Sequence, residues 1–231
     1  MLPSVEKQFA SIVLLGKFNP AIFSPAWLAK YGLITDGEMD AATVNIVHQE
    51  ITQFVAGGYS FDINQPRFLV RSSDEPFVKL LELVAGIFGE HLVHTPILKV
   101  GINFEAIYAA RSAKQRMAFG RLLAPVDRWG EFGKRMEHQS PLKGGGIVSL
   151  TMQENPPDRK GYRRVEIEPV PDASATRAKI AVNDHFETKD EDKVVGAGEI
   201  MSILQSSFEP SMLESRRIID ELIDTCLGLP E

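Results

Sequence analysis

Hydrophobic and polar positions divide the chain into short apolar runs and longer stripes, and each spacing predicts an element. Phe9–Leu15 is a continuous apolar run ended by Gly16, which reads as a first strand. Ser24-Pro25 then supplies a cap and a first-turn proline for a short helix carrying Trp27, Leu28 and Tyr31. Thr43–Val55 fits either a helical stripe or part of an alternating strand. Its β-branched content and the Gly57-Gly58 turn that follows favour a strand. Ser60–Arg71 reads as a second β-rich run, with Pro66 expected at a bulge or a free edge because proline cannot donate to a ladder. Phe77, Leu80, Leu81, Val84, Ile87 and Phe88 paint one face of a helix over Pro76–Gly89, capped by Ser73 or Asp74. Pro96–Tyr108 follows as a long strand in which Gly101 suggests a bulge.

Ser112–Leu123 and Val126–Met136 look helical, split at Ala124-Pro125. Ile147–Gln153, Arg163–Val170 and Ala178–Phe186 predict a three-strand meander. A long helix over Gly198–Leu227 follows, with a break or kink expected at Pro210 and an end at Gly228. The order is β-α-β-β-α-β, then α-α-β-β-β-α. Strands that neighbour strands through short turns predict an α+β fold, with mostly antiparallel sheets and covering helices. A boundary near Gln139–Gly146 would separate an N-terminal α+β half, residues 1–140, from a C-terminal meander and helix, residues 141–231. The alternative is a single domain.

Composition adds exclusions. The 231 residues are 44% hydrophobic and 24% charged, an ordinary globular mixture. No apolar run approaches the ~18–20 residues that span a bilayer. The first residues, MLPSVEKQFASIVLLG, lack the basic start and small-residue cleavage site of a signal peptide. The one cysteine, Cys226, cannot build a disulfide framework or a thiolate metal site, and its place on an apolar helical stripe reads as a buried thiol. The expectation is a soluble, cytoplasmic protein.

The net charge of −6 argues against general affinity for nucleic acid or anionic membrane. Its distribution is uneven. Residues 111–143 hold eight bases against three acids, +5, while residues 183–231 hold twelve acids against four bases, −8. Arg111, Lys114, Arg116, Arg121, Lys134 and Arg135 are the candidate polyanion-binding residues. A solvated basic helix beside a solvated acidic one explains the same pattern.

Candidate chemistry is sparse. His91 and His94 have a ligand-like spacing but fall where Pro96 ends the helix. In Asp184-His185-Phe186-Glu187 a strand would put only His185 and Glu187 on one face, too few for a metal. Asp190-Glu191-Asp192 lacks the pattern of a calcium loop. Lys143-Gly144-Gly145-Gly146 leads into a strand rather than a helix, and Gly196-Ala197-Gly198 has no strand before it, so neither is a phosphate loop. No GxSxG elbow occurs, and Glu166 and Glu168 beside Arg163 and Arg164 suggest cross-strand ion pairs. These patterns call for no metal, no cofactor and no catalytic residue. The segment around Asn19–Trp27 stands out instead. Phe18, Ile22, Phe23 and Trp27 lie among prolines that pre-order it, which suits either a partner-binding anchor or a plug in the chain's own core.

Three stretches resemble a known family: Gln65–Arg71 with the Pro76–Phe88 helix, Lys99–Phe104, and Phe208-Glu209 in the closing helix. The chain resembles a sporadically distributed group of bacterial proteins found near mobile and defence-related genes. The resemblance implies a bacterial or archaeal cytoplasmic protein, an accessory part of a defence system, and assigns no residue a role.

The first expectation is therefore a non-enzymatic protein-interaction or assembly subunit, a homo-oligomer or part of a larger complex, using the Asn19–Trp27 segment and the acidic closing helix. The second is a nucleic-acid-binding accessory protein using the 111–143 stretch. An enzyme of unknown class, with its site assembled from scattered residues, is the third.

Overall fold

The computed structural model describes residues 4–137, 146–171 and 173–227. Among the described residues nine strands form one sheet: β1 (Ser4–Gly16), β2 (Thr43–Val47), β3 (Ile51–Ala56), β4 (Tyr59–Asn64), β5 (Arg67–Ser72), β6 (Ile97–Ala109), β7 (Leu150–Glu154), β8 (Gly161–Pro169) and β9 (Arg177–Glu187). Their spatial order is β2-β3-β4-β5-β1-β6-β9-β8-β7, and every neighbouring pair is antiparallel. The helices are α1 (Pro25–Lys30), α2 (Asp36–Asp40), α3 (Val78–Ala85) continued by a π-turn at Gly86–His91, α4 (Ala113–Leu123), α5 (Gly130–Glu137) and α6 (Gly198–Leu227). The α+β expectation holds, with a single sheet in place of several. β6 and β9 pair in register from Lys99↔Glu187 to Ala109↔Arg177, so strands from both sides of the expected boundary share this sheet. The residues proposed for that boundary lie largely outside the described ones.

Alternation along the strands decides which face is buried. Ala10, Ile12 and Leu14 of β1, Val100, Ile102 and Phe104 of β6, and Ile180 and Val182 of β9 all point into the core. α6 covers this face with Ile200, Leu204, Phe208, Ile219 and Ile223, and α3 adds Leu80, Leu83 and Val84. The alternate residues carry cross-strand ion pairs: Arg67–Asp62 at 2.9 Å, Arg71–Glu105 at 2.8 Å, Lys99–Glu187 at 3.3 Å and Lys179–Glu168 at 2.7 Å. The cross-strand pairing expected for β8 is seen at Glu168, which takes Lys179 of β9, and at Arg163, which takes Asp184 of β9.

Several local expectations are corrected. Thr43–Val55 is two strands joined at His48-Gln49-Glu50, where the His48 N–H donates to the Ile51 carbonyl at 2.9 Å. Ser60–Arg71 is also two strands, and Pro66 sits in the turn between them, where it has no ladder bond to lose. Gly101 makes no bulge; it stands in register between Val13 and His185. α6 continues through Pro210 as one helix. Among the described residues, no helix is long and apolar enough to cross a membrane.

Candidate functional site

The Asn19–Trp27 segment belongs to the core. Asn19 caps a short turn at Pro20–Ile22, and Ser24 Oγ accepts from the Trp27 N–H at 3.1 Å to start α1. The buried Thr52 hydroxyl of β3 donates to the Pro20 carbonyl at 2.9 Å and ties the segment down. Phe18 and Phe23 are buried, and their rings lie 5.4–6.2 Å from those of Phe68 and Phe88. Ile22 and Trp27 pack half-buried against the same cluster. Of the two readings of this segment, the burial of Phe18 and Phe23 favours the core plug over the partner-binding anchor, because presenting either ring to a partner would empty the core. His91 is accounted for in the same neighbourhood, its ring 4.4 Å from that of Tyr31.

The basic region is different. Ser112 caps α4 by accepting from the Gln115 N–H at 3.1 Å, and Gln115 Oε1 accepts from the Arg111 N–H at 2.8 Å. Phe119 on the inner face of α4 is buried. Pro125 ends that helix, and Val126–Trp129 makes one 3-10 turn before Gly130, at φ 55°, redirects the chain into α5. Gly133 allows α5 to close on this turn, since a Cβ there would fall 1.8 Å from the Val126 carbonyl oxygen. The result is an α4–α5 corner standing over the β7–β8 side of the sheet.

Between the corner and the sheet lies a cavity of about 380 Å³. Its lining is mainly apolar: Met117, Phe119, Val126, Trp129, Phe132 and Met136 from the corner, Ile147 and Leu150 from the approach to β7, and Ile167 from β8. Trp129 is 60% exposed and Phe132 52%, with ring centroids 6.2 Å apart, so both stand at the surface rather than in the core. Arg116 and Arg121 also line it. Arg116 is braced by its Nε donating to the Ala175 carbonyl at 2.5 Å. The carboxylate of Glu168, the lining acid, is held below the usual range by its hydrogen bond from Lys179. An apolar hollow with a few oriented charges is built to hold an amphipathic group.

The structure therefore divides the six candidate bases. Arg116 and Arg121 reach the cavity. Lys134 and Arg135 flank it on α5, Lys134 paired with Glu131 at 2.6 Å and Arg135 over the Phe132 ring at 5.6 Å. Arg111 and Lys114 stand at the start of α4, away from the lining. Sequence reasoning missed Trp129 and Phe132, although both interleave with the bases of residues 111–143 and that spacing was the available signal.

A second polar cluster lies under α6. Asp184, 1% exposed, accepts from Arg159, from Arg163 Nη2 at 3.0 Å and from Ser211 Oγ at 2.8 Å. On the opposite face of β9, His185 stacks on Tyr162 with centroids 4.6 Å apart, and its Nε2 is 3.4 Å from Glu187. The alternation expected for this stretch is thus observed. Burial pushes the His185 pKa down, which favours the neutral imidazole. Among the described residues no group of three or more His, Cys, Asp or Glu side chains is arranged to hold a metal. Lys143, Gly144 and Gly145 of the glycine-rich loop lie outside the described residues, as does the side chain of Cys226, while Gly146 is described, at φ 86°.

The sequence matches no protein-family model and no curated protein.

Proposed function

We propose that the chain is a non-enzymatic, cytoplasmic protein-interaction subunit that docks an acidic partner segment through the α4–α5 cavity, seating one bulky apolar side chain in it. One observation carries this reading. Two exposed aromatic rings open onto an apolar hollow whose lining cations, Arg116 and Arg121, are on the same helix. Aromatic and arginine residues around a desolvated pocket are the composition of interface hot spots. The +5 charge of residues 111–143 adds complementarity to an acidic segment and steers its approach.

A second reading rests on the same rings. Trp129 and Phe132 interleaved with Arg128, Lys134 and Arg135 form a stacking platform of the kind that holds single-stranded nucleic acid.

A fluorescein-labelled peptide with one central phenylalanine between glutamates, titrated by anisotropy, tests the first reading. Trp129→Ala and Phe132→Ala are expected to weaken its binding at least tenfold without moving the urea unfolding midpoint. Affinity unchanged in both variants overturns the cavity as the docking site. A dT12 oligonucleotide bound in place of the peptide, with affinity falling steeply as salt rises, installs the second reading.

A further inference from the structure

The sheet has two edges, and they are unlike. β7 and β2 are equally short, but β7 ends in Glu154, which faces Arg163 at 3.5 Å, while Gln153 receives Arg164 at 2.7 Å. Charge and polar side chains of this kind blunt an edge against further pairing. β2 has no such protection. Its five residues, Thr-Val-Asn-Ile-Val, carry no charge, and Val44, Ile46 and Val47 are 51%, 41% and 45% exposed. Val55 of the adjoining strand is exposed as well, so β-branched side chains stand uncovered beside an open ladder.

The hairpin geometry says which backbone groups are open. His48 donates to the Ile51 carbonyl inside the hairpin, and Val47 is the next residue, opposite Thr52. In an antiparallel ladder inward and outward pairs alternate, so the Val47 N–H and C=O face away from β3. They present a donor and an acceptor to whatever lies beyond the edge.

We infer that β2 is a strand-addition site that accepts an extended, β-branched segment of another protein with basic residues at both ends. Main-chain hydrogen bonds would supply affinity, and the exposed valines and isoleucine would select alternating apolar side chains. The flanks choose between a foreign strand and a second copy of this chain. Asp40 precedes the strand and Glu50 follows it, both exposed. Antiparallel self-pairing would set the Asp40 end of one copy against the Glu50 end of the other, acid against acid at both ends. A segment flanked by lysines meets complementary charge at both ends instead.

The probe is a fluorescein-labelled peptide, Lys-Thr-Val-Thr-Val-Thr-Val-Lys, titrated into the full chain. Binding is expected to slow amide hydrogen exchange across residues 43–47. Val47→Pro removes an outward donor without touching the β3 ladder and is expected to lower affinity at least tenfold. The double variant Asp40→Lys, Glu50→Lys keeps the strand intact and is expected to reject this peptide and accept its glutamate-ended counterpart. Trp129→Ala leaves this binding unchanged, which separates it from docking at the cavity. Affinity insensitive to both β2 variants overturns the inference. So does a concentration-dependent dimer that Val47→Pro dissolves, since the occupant is then a second copy.

Discussion

The Asn19–Trp27 segment and the α4–α5 corner have similar ingredients: aromatic rings, chain-turning prolines and short helical turns. They end on opposite sides of the molecular surface. The first passes over β3–β5, where Phe68 of β5 and the α3 extension leave a hollow that Phe18 and Phe23 fill. The second stands over the β7–β8 margin, where the sheet offers little more than Ile167 and Leu150 to cover. Aromatic content alone does not tell core from contact surface. What decides is how much apolar sheet the segment finds beneath it.

The comparison can be broken by mutation. Phe23→Ala removes a fully buried ring from a packed cluster and is expected to cost about 3–5 kcal/mol, read by urea unfolding. Trp129→Ala, the matched change at the corner, is expected to stay within about 0.5 kcal/mol of the parent. Equal losses would show that the corner is core. Asp184→Ala tests what holds the sheet's corner-bearing side under α6. It strands two arginines and the Ser211 hydroxyl around an emptied buried site and is expected to cost about 3–5 kcal/mol.

The smallest effect is a slope. Burial lowers the His185 pKa from its ordinary 6.5, so the folded state favours the neutral ring. The stability this group contributes is complete above the unfolded value and is lost as pH falls through the folded one. Between about pH 7 and 5 the unfolding midpoint is therefore expected to fall more steeply in the parent than in His185→Asn. Parallel curves would mean that the ring protonates freely in the folded chain.

Much of the fold was legible because its periodicities are clean. The Phe77–Phe88 stripe, the apolar runs of β1 and β6 and the length of α6 all survive from sequence to structure. The losses have physical causes. α2 is one short turn without an apolar stripe, and only the Thr35–Glu38 capping box announced it. The β2–β3 turn, His-Gln-Glu, carries no glycine or proline to mark it. The cavity was illegible for another reason: Ile167 and Ala178 reach it from strands far beyond α4 in the chain. The rings at its mouth were visible, but the hollow behind them exists only after the sheet has formed.

β1 lies at the middle of the sheet, between β5 and β6, yet precedes both in the chain. On a ribosome it emerges with neither neighbour made. Its second partner is complete only about ninety residues later, on the order of 5–20 s at ordinary elongation rates. Until β5 is made, Ile12, Val13, Leu14 and Leu15 form a bare apolar strand with both ladders open, and the ladder facing β6 stays open to the end of that interval. The strand that is innermost at the end is thus the most exposed at the start, and the nascent chain is most vulnerable to mispairing before β6 appears.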